Sequence, residues 1–150
     1  MYPPNIVGPY EVVNVNPGDP AAGAGYSTPI GDNSRRLLLQ VDFVLTTAVA
    51  AANRLPLVYV VPSAGTNRIL GLAANVQAAS LVMLWTFRTY QHLTVNSPGG
   101  TYASVNSANI NPLHWLEPAD LWLFDILNIQ GADQVTAIHY SYLREVNPAT

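Results

Sequence analysis

The clearest hydrophobic rhythm in the chain lies in RRLLLQVDFVLTT, residues 35–47. There Leu37, Leu39, Val41, Phe43 and Leu45 are apolar, and the even positions include Arg36, Gln40, Asp42 and Thr46. A period of two predicts a strand, because successive strand side chains point to opposite faces. RLPLVYVV at 54–61 is β-branched and aromatic, with Pro56 placing it at an edge or an irregular start. PSAGT at 62–66 reads as a turn, after which NRILGL at 67–72 returns as a short partner. In SLVMLWTFRTYQHLTV at 80–95, Leu81, Met83, Trp85 and Phe87 share one face while Thr86, Arg88 and His92 share the other, which predicts a long strand. The alanine-rich span 69–85 offers a helical alternative, opposed by Gly71 and by its β-branched flanks.

Residues 96–112, NSPGGTYASVNSANINP, form a polar loop with room for one short strand at most. LHWLEPADLWLFDILNI at 113–129 predicts a short strand, a turn at Pro118, and a strand with Trp122, Phe124 and Ile126 on one side. QGAD at 130–133 supplies a turn. QVTAIHYSYLREV at 134–146 then alternates Ile138, Tyr140 and Tyr142 with Ala137, His139 and Ser141, and is expected to close an antiparallel hairpin. Seven to nine strands separated by regular turns predict an all-β chain, an antiparallel β-sandwich of jelly-roll type.

The first 34 residues differ. They hold six of the twelve prolines and five of the ten glycines, with few large apolar side chains, so they cannot build a core of their own. We expect an extended arm at 1–34, laid on a neighbouring subunit or on the flank of a sandwich domain at 35–150. Tyr2, Ile6, Val7, Tyr10 and Tyr26 are its candidate contacts. The local alternative is an N-terminal strand, EVVNV at 11–15.

The strand at 121–129 carries a second apolar face, Leu121, Leu123 and Leu127, interrupted only by Asp125. One sandwich core covers one face of a strand, so these leucines are the candidate oligomer interface. The alternative is that the chain's own N-terminal segment covers them. Composition sharpens the point. Charged residues make up 10% of the 150, against about 25% in ordinary domains. All six basic residues are arginine, the net charge is -3, and the only adjacent cations are Arg35 and Arg36. Neither nucleic acid nor an anionic membrane is therefore an expected partner. No cysteine is present for disulfides, thiolate metal sites or cysteine nucleophiles. The opening MYPPNIVGPY does not read as a secretory signal, and the apolar runs are too short for a spanning helix.

Candidate chemistry is sparse. His114 and Glu117 suggest a metal pair, but Pro112 and Pro118 bracket them in extended chain without a helical ligand spacing. Ser141 beside His139 alternates along one strand without a buried orienting carboxylate, and no serine sits in a GxSxG elbow. Asp42, Glu117, Asp120 and Asp125 are the carboxylates available for glycoside chemistry, and none is marked as desolvated. SPGG at 97–100 lacks the lysine or helix of a phosphate cradle. Alternation sends Trp85 and Trp122 to the core, leaving Trp115 as the aromatic free to stack on a sugar. The expectation is a protein without catalytic residues, metal or cofactor.

TTAVAAANR at 46–54, QAAS at 77–80 and NIQGADQVT at 128–136 resemble, in order and spacing, segments of small all-β accessory virion proteins of tailed bacteriophages. The resemblance covers about residues 35–146 and consists of turn and strand-edge signals. It implies a jelly-roll homotrimer located in the virion, decorating or cementing the capsid through contacts with itself and with the major capsid protein or another virion protein. The alternative it leaves open is a tail or fibre module that recognises host carbohydrate, or a neighbouring tail protein, through the 96–112 loop.

Overall fold

A computed structural model of the chain describes residues 10–29, 33–89, 104–110 and 115–146, with 104–109 described by backbone alone. Nine strands appear among them: β1 (Tyr10–Val15), β2 (Tyr26–Ser27), β3 (Arg36–Thr46), β4 (Leu55–Val61), β5 (Arg68–Leu72), β6 (Val82–Arg88), β7 (Ser104–Asn109), β8 (Leu121–Leu127) and β9 (Gln134–Glu145). They form a five-stranded sheet, β1-β9-β3-β6-β7, and a four-stranded sheet, β2-β8-β4-β5. The two pack as the expected β-sandwich. The described residues include no helix, so the alanine-rich span 69–85 is a strand, a turn and the start of β6. Gly71 pairs with Val58 on β4 and returns the chain as predicted.

The core follows from alternation. Val41, Phe43, Leu45, Met83, Trp85 and Phe87 of the larger sheet meet Val58, Val60, Trp122, Phe124 and Ile126 of the smaller one. Phe43 stacks on Phe87 at 6.2 Å between centroids, and Tyr140 makes edge contact with Phe124 at 5.4 Å. Each fully buried large apolar side chain contributes about 1.5–3 kcal/mol.

Three expectations are corrected. The alternation of residues 35–47 breaks at a β-bulge between Leu38 and Gln40, so Leu38 joins the central core cluster, while Leu37 is equally buried outside it and Leu39 is half-buried. A bulge places two residues opposite one and shifts the following side chains to the other face. A second irregularity in β9 puts Ala137 at φ 50°, and its N–H is taken by the Asp19 carboxylate at 3.0 Å. Next, the segments 121–129 and 134–146 do not form a hairpin: β8 pairs with β4 and β9 pairs with β3, so the QGAD turn carries the chain from one sheet to the other. Both strands turn their aromatic faces into the same core, from opposite sheets. Finally, one edge departs from the expected antiparallel pairing that holds elsewhere, because β6 pairs parallel with β7. Parallel neighbours need a long connection, and β7 begins only at Ser104, well after β6 ends at Arg88.

The described part of the 1–34 segment is woven into this sandwich, as the local alternative has it. Tyr10–Val15 pairs antiparallel with β9, and Tyr26–Ser27 pairs with β8. Between them the chain is stitched down where Gln134 Nε2 donates to Pro20 O at 2.9 Å and Gly23 N–H donates to Asp133 O at 2.8 Å. The composition of the segment reflects edge positions and a crossing between sheets, where proline and glycine are tolerated. Tyr26 packs on Phe124 at 6.0 Å inside the domain. Tyr2, Ile6 and Val7 lie outside the described residues.

Candidate functional site

Three features of the sandwich could carry function, and each begins with side chains that the core does not use. The first is the outer face of the four-stranded sheet. Leu121 lies opposite Val61, Leu123 opposite Tyr59, Asp125 opposite Leu57 and Leu127 opposite Leu55. On the far side of β4, Leu72 and Ile69 continue the same face. Leu121 and Leu123 are half-buried, whereas Leu127, Leu72 and Ile69 are 42%, 48% and 58% exposed. Among the described residues of the N-terminal segment, β2 pairs with this sheet only at the Phe124 and Leu123 register.

The second feature is a polar row on the outer face of the five-stranded sheet. Asp42, only 1% exposed, accepts hydrogen bonds from Gln40 Nε2 and Thr86 Oγ1. Arg88 Nε donates to Thr86 Oγ1 at 3.2 Å. His139, opposite Asp42 in the register, places Nδ1 3.8 Å from its carboxylate. The sequence reading missed this carboxylate, because the two residues meet only through strand pairing. Ser141 follows two positions on, opposite Gln40, but the geometry supplies no bond from a serine to the imidazole and hence no nucleophile and base pair.

The third feature is a cleft at the end of the sandwich where the turn after β4 meets the turn before β8. It has a volume of about 310 Å³ and is lined among the described residues by Val60, Pro62, Arg68, Trp115, Glu117 and Asp120. The Trp115 ring lies 5.7 Å from that of Tyr10 and 5.5 Å from the Arg35 guanidinium. Arg35 is in turn paired with Glu145 at 3.3 Å, and that hydrogen bond raises its already high pKa. Burial, followed by the negative charge of Glu145, pushes the Tyr10 phenol up, against a smaller lowering by Arg35. Asp120 is fixed on both sides. Its Oδ1 accepts from Ser63 N–H at 2.8 Å, and its carbonyl accepts from Arg36 Nη2 at 2.7 Å. Sequence reading singled out Trp115, Glu117 and Asp120 separately. It missed their meeting with Arg68, which depends on the β4–β5 hairpin returning across Val60.

The opposite end of the sandwich is locked rather than open. Arg54 Nε and Nη2 donate to the two oxygens of Asp133, each at 2.8 Å, with both side chains fully buried. Burial pushes the Asp133 carboxyl up. Hydrogen bonds from Arg54, Gln130 N–H and Ala48 N–H together outweigh that and hold it below its ordinary value. Nearby, Gln77 Nε2 donates to Leu45 O at 2.7 Å, and Gln77 Oε1 accepts from Trp85 Nε1 at 2.7 Å. The segments 46–54, 77–80 and 128–136 thus converge here. Their charged and amide residues are accounted for as a structural clamp.

Asp125 accepts from its neighbour Ile126 N–H at 2.8 Å. It faces Leu57 on the sheet and is not brought together with Asp120 as a catalytic pair. Among the described residues no group of three or more His, Cys, Asp or Glu side chains could hold a metal ion. His92, His114 and the SPGG stretch lie outside the described residues, as does the part of the 96–112 loop that precedes β7. Comparison with protein-family models, with curated proteins and with solved structures finds no match.

Proposed function

We propose that this chain is a structural protein of a tailed-phage virion, of the capsid decoration or cement type, and that it works by self-association. The observation that carries the reading is the apolar outer face of the four-stranded sheet, from Leu121, Leu123 and Leu127 across β4 to Ile69 and Leu72. An antiparallel sheet with a solvated side normally presents polar residues there. A second copy of the chain is the occupant that fits. The face carries one charge, Asp125, whose carboxylate accepts the Ile126 N–H, so contact with a second copy brings few charges into the interface. Burying the exposed remainder of Leu127, Leu72 and Ile69 twice over contributes on the order of several kcal/mol, enough to offset part of the entropic cost of association.

In this reading the trimer is the working unit, with a jelly-roll-like sandwich seated over a junction between capsid subunits. Adhesion is mechanical and spread over a broad apolar area, and no bond is made or broken. Residues 1–9 are the segment left to reach a neighbour, because residues 10–28 supply edge strands of the domain itself.

Mass measurement in solution tests the self-association. The wild type is expected to run as a discrete oligomer, and a Leu127→Glu, Ile69→Lys variant as a folded monomer with an unchanged circular dichroism spectrum. A wild type that remains monomeric at high concentration overturns the reading. For the virion role, the chain should be recovered in fixed stoichiometry from purified particles, and deletion of residues 1–9 should reduce that recovery.

A further inference from the structure

We propose that the cleft between Pro62 and Trp115 is a binding site for a neutral saccharide, a second function beyond assembly and independent of the apolar face. Its volume of about 310 Å³ falls at the low end of ligand-sized clefts, roughly 300–1,000 Å³. The aromatic wall is already fixed. Tyr10 and the Arg35 guanidinium pack against Trp115, so the indole spends little ordering entropy when a ligand stacks on it.

The polar groups around the indole decide the ligand class. Arg68 supplies only donors, and it is exposed at the start of β5. Glu117, also exposed, and Asp120 supply only acceptors when ionised, and Asp120 is aimed by the Ser63 N–H. A sugar hydroxyl both donates and accepts, so a polyol satisfies both kinds of group at once. An anionic ligand would meet two carboxylates, and a cationic one would meet Arg68. A purely apolar ligand would strip water from all three charges without replacing its hydrogen bonds. The C–H face of a pyranose ring against the indole, with its hydroxyls toward Arg68, Glu117 and Asp120, meets every requirement of the lining.

The test uses the full chain with methyl glycosides of glucose, galactose, mannose and N-acetylglucosamine, their β-1,4-linked oligomers, and sialylated and sulfated glycans as the acidic arm. Intrinsic tryptophan fluorescence and calorimetry read the binding. At least one neutral saccharide is expected to bind, with affinity lost more than about tenfold in Trp115→Ala and in Glu117→Gln, each about 1.4 kcal/mol or more. Glu117 is exposed and outside the core, so its variant keeps the test valid if Trp115→Ala unfolds. The Leu127→Glu, Ile69→Lys variant should bind as the wild type does, which separates this site from the assembly face. Binding of no neutral member at millimolar concentration, binding of the acidic arm alone, or full retention of affinity in Glu117→Gln would each overturn the proposal.

Discussion

Replacing Asp133 by asparagine removes one charge from the clamp at the closed end of the sandwich and should be among the costliest single changes in the chain. The carboxylate accepts from four donors at 2.8 Å: Arg54 Nη2 and Ala48 N–H on Oδ1, and Arg54 Nε and Gln130 N–H on Oδ2. Asparagine has the same shape but one NH₂ in place of an oxygen. Either orientation of the amide therefore sets a donor against two donors, and it leaves the fully buried Arg54 guanidinium without a counter-charge. Two lost hydrogen bonds to a charged group cost about 1.5–3 kcal/mol each, which agrees with the roughly 3–5 kcal/mol found for breaking buried ion pairs. With a urea slope of about 2 kcal/mol/M, the midpoint should fall by roughly 1.5–2.5 M, a large part of the whole margin of about 5–15 kcal/mol. The paired variant Arg54→Met, Asp133→Leu removes both charges and should recover part of the loss, less the cost of the Ala48 and Gln130 N–H groups that lose their acceptor. The acid limb gives an independent check. The folded carboxyl titrates below its unfolded value of about 3.9, so its stabilisation is present above that pH and is lost as pH falls through the folded value. The Asn variant lacks that component and should show a flatter stability profile below about pH 4. A midpoint shift under about 0.5 M in urea would refute the reasoning, because it would mean that the guanidinium finds water or another acceptor.

Gly25→Ala places a Cβ 2.5 Å from Phe124 O and 3.1 Å from Asp125 Cα, backbone atoms that cannot swing aside. It should cost about 1–3 kcal/mol and lower Tm by roughly 3–9 °C, while Gly18→Ala, with open space around it, leaves Tm unchanged. Tyr140 titrates far above its ordinary value because of burial first, and then because of the charge and hydrogen bond of Tyr26 and the charge of Tyr142. Its raised folded pKa makes its contribution complete below the unfolded value of about 10 and progressively lost above it, so Tyr140→Phe should flatten the alkaline limb of a stability profile. An unchanged alkaline limb in that variant would contradict the assignment.

The sandwich was legible because its strands carry the pattern of a half-buried sheet. Trp122, Phe124 and Ile126 alternate with Leu121, Leu123 and Asp125, and no helical stripe competes. Less visible was which strand stands beside which. The QGAD turn has the length of a hairpin, and only the pairing of β8 with β4 and of β9 with β3 shows that it crosses between sheets, where Arg54, 79 residues away, anchors Asp133. The bulge at Leu38 was hidden for a similar reason. RRLLLQ places three leucines in a row, so either neighbouring register satisfies the pattern, and pairing with Tyr142 and Ser141 decides between them. Of the candidate sites, Trp115, Glu117 and Asp120 could be read as residues with spare chemistry. Arg68 could not, since its place in the cleft comes from the β4–β5 return.

The scarcity of charge takes on a more specific meaning once the strands are paired. Of the six arginines, Arg54 is consumed by the clamp, Arg35 by Glu145, Arg36 by the Asp120 carbonyl and the Trp122 ring, and Arg144 by Glu11. Arg88 lies against the buried Asp42 row. Five of the six cations thus hold geometry within the chain, and Arg68, exposed at the start of β5, borders the cleft. The outer face of the four-stranded sheet receives none of this charge. A protein that had to remain dispersed would place charges there, because that is the cheapest defence of an exposed sheet against association. Placing its few charges where they fix geometry, and leaving a broad apolar face with Asp125 as its one charge, is the arrangement that the proposed self-association calls for.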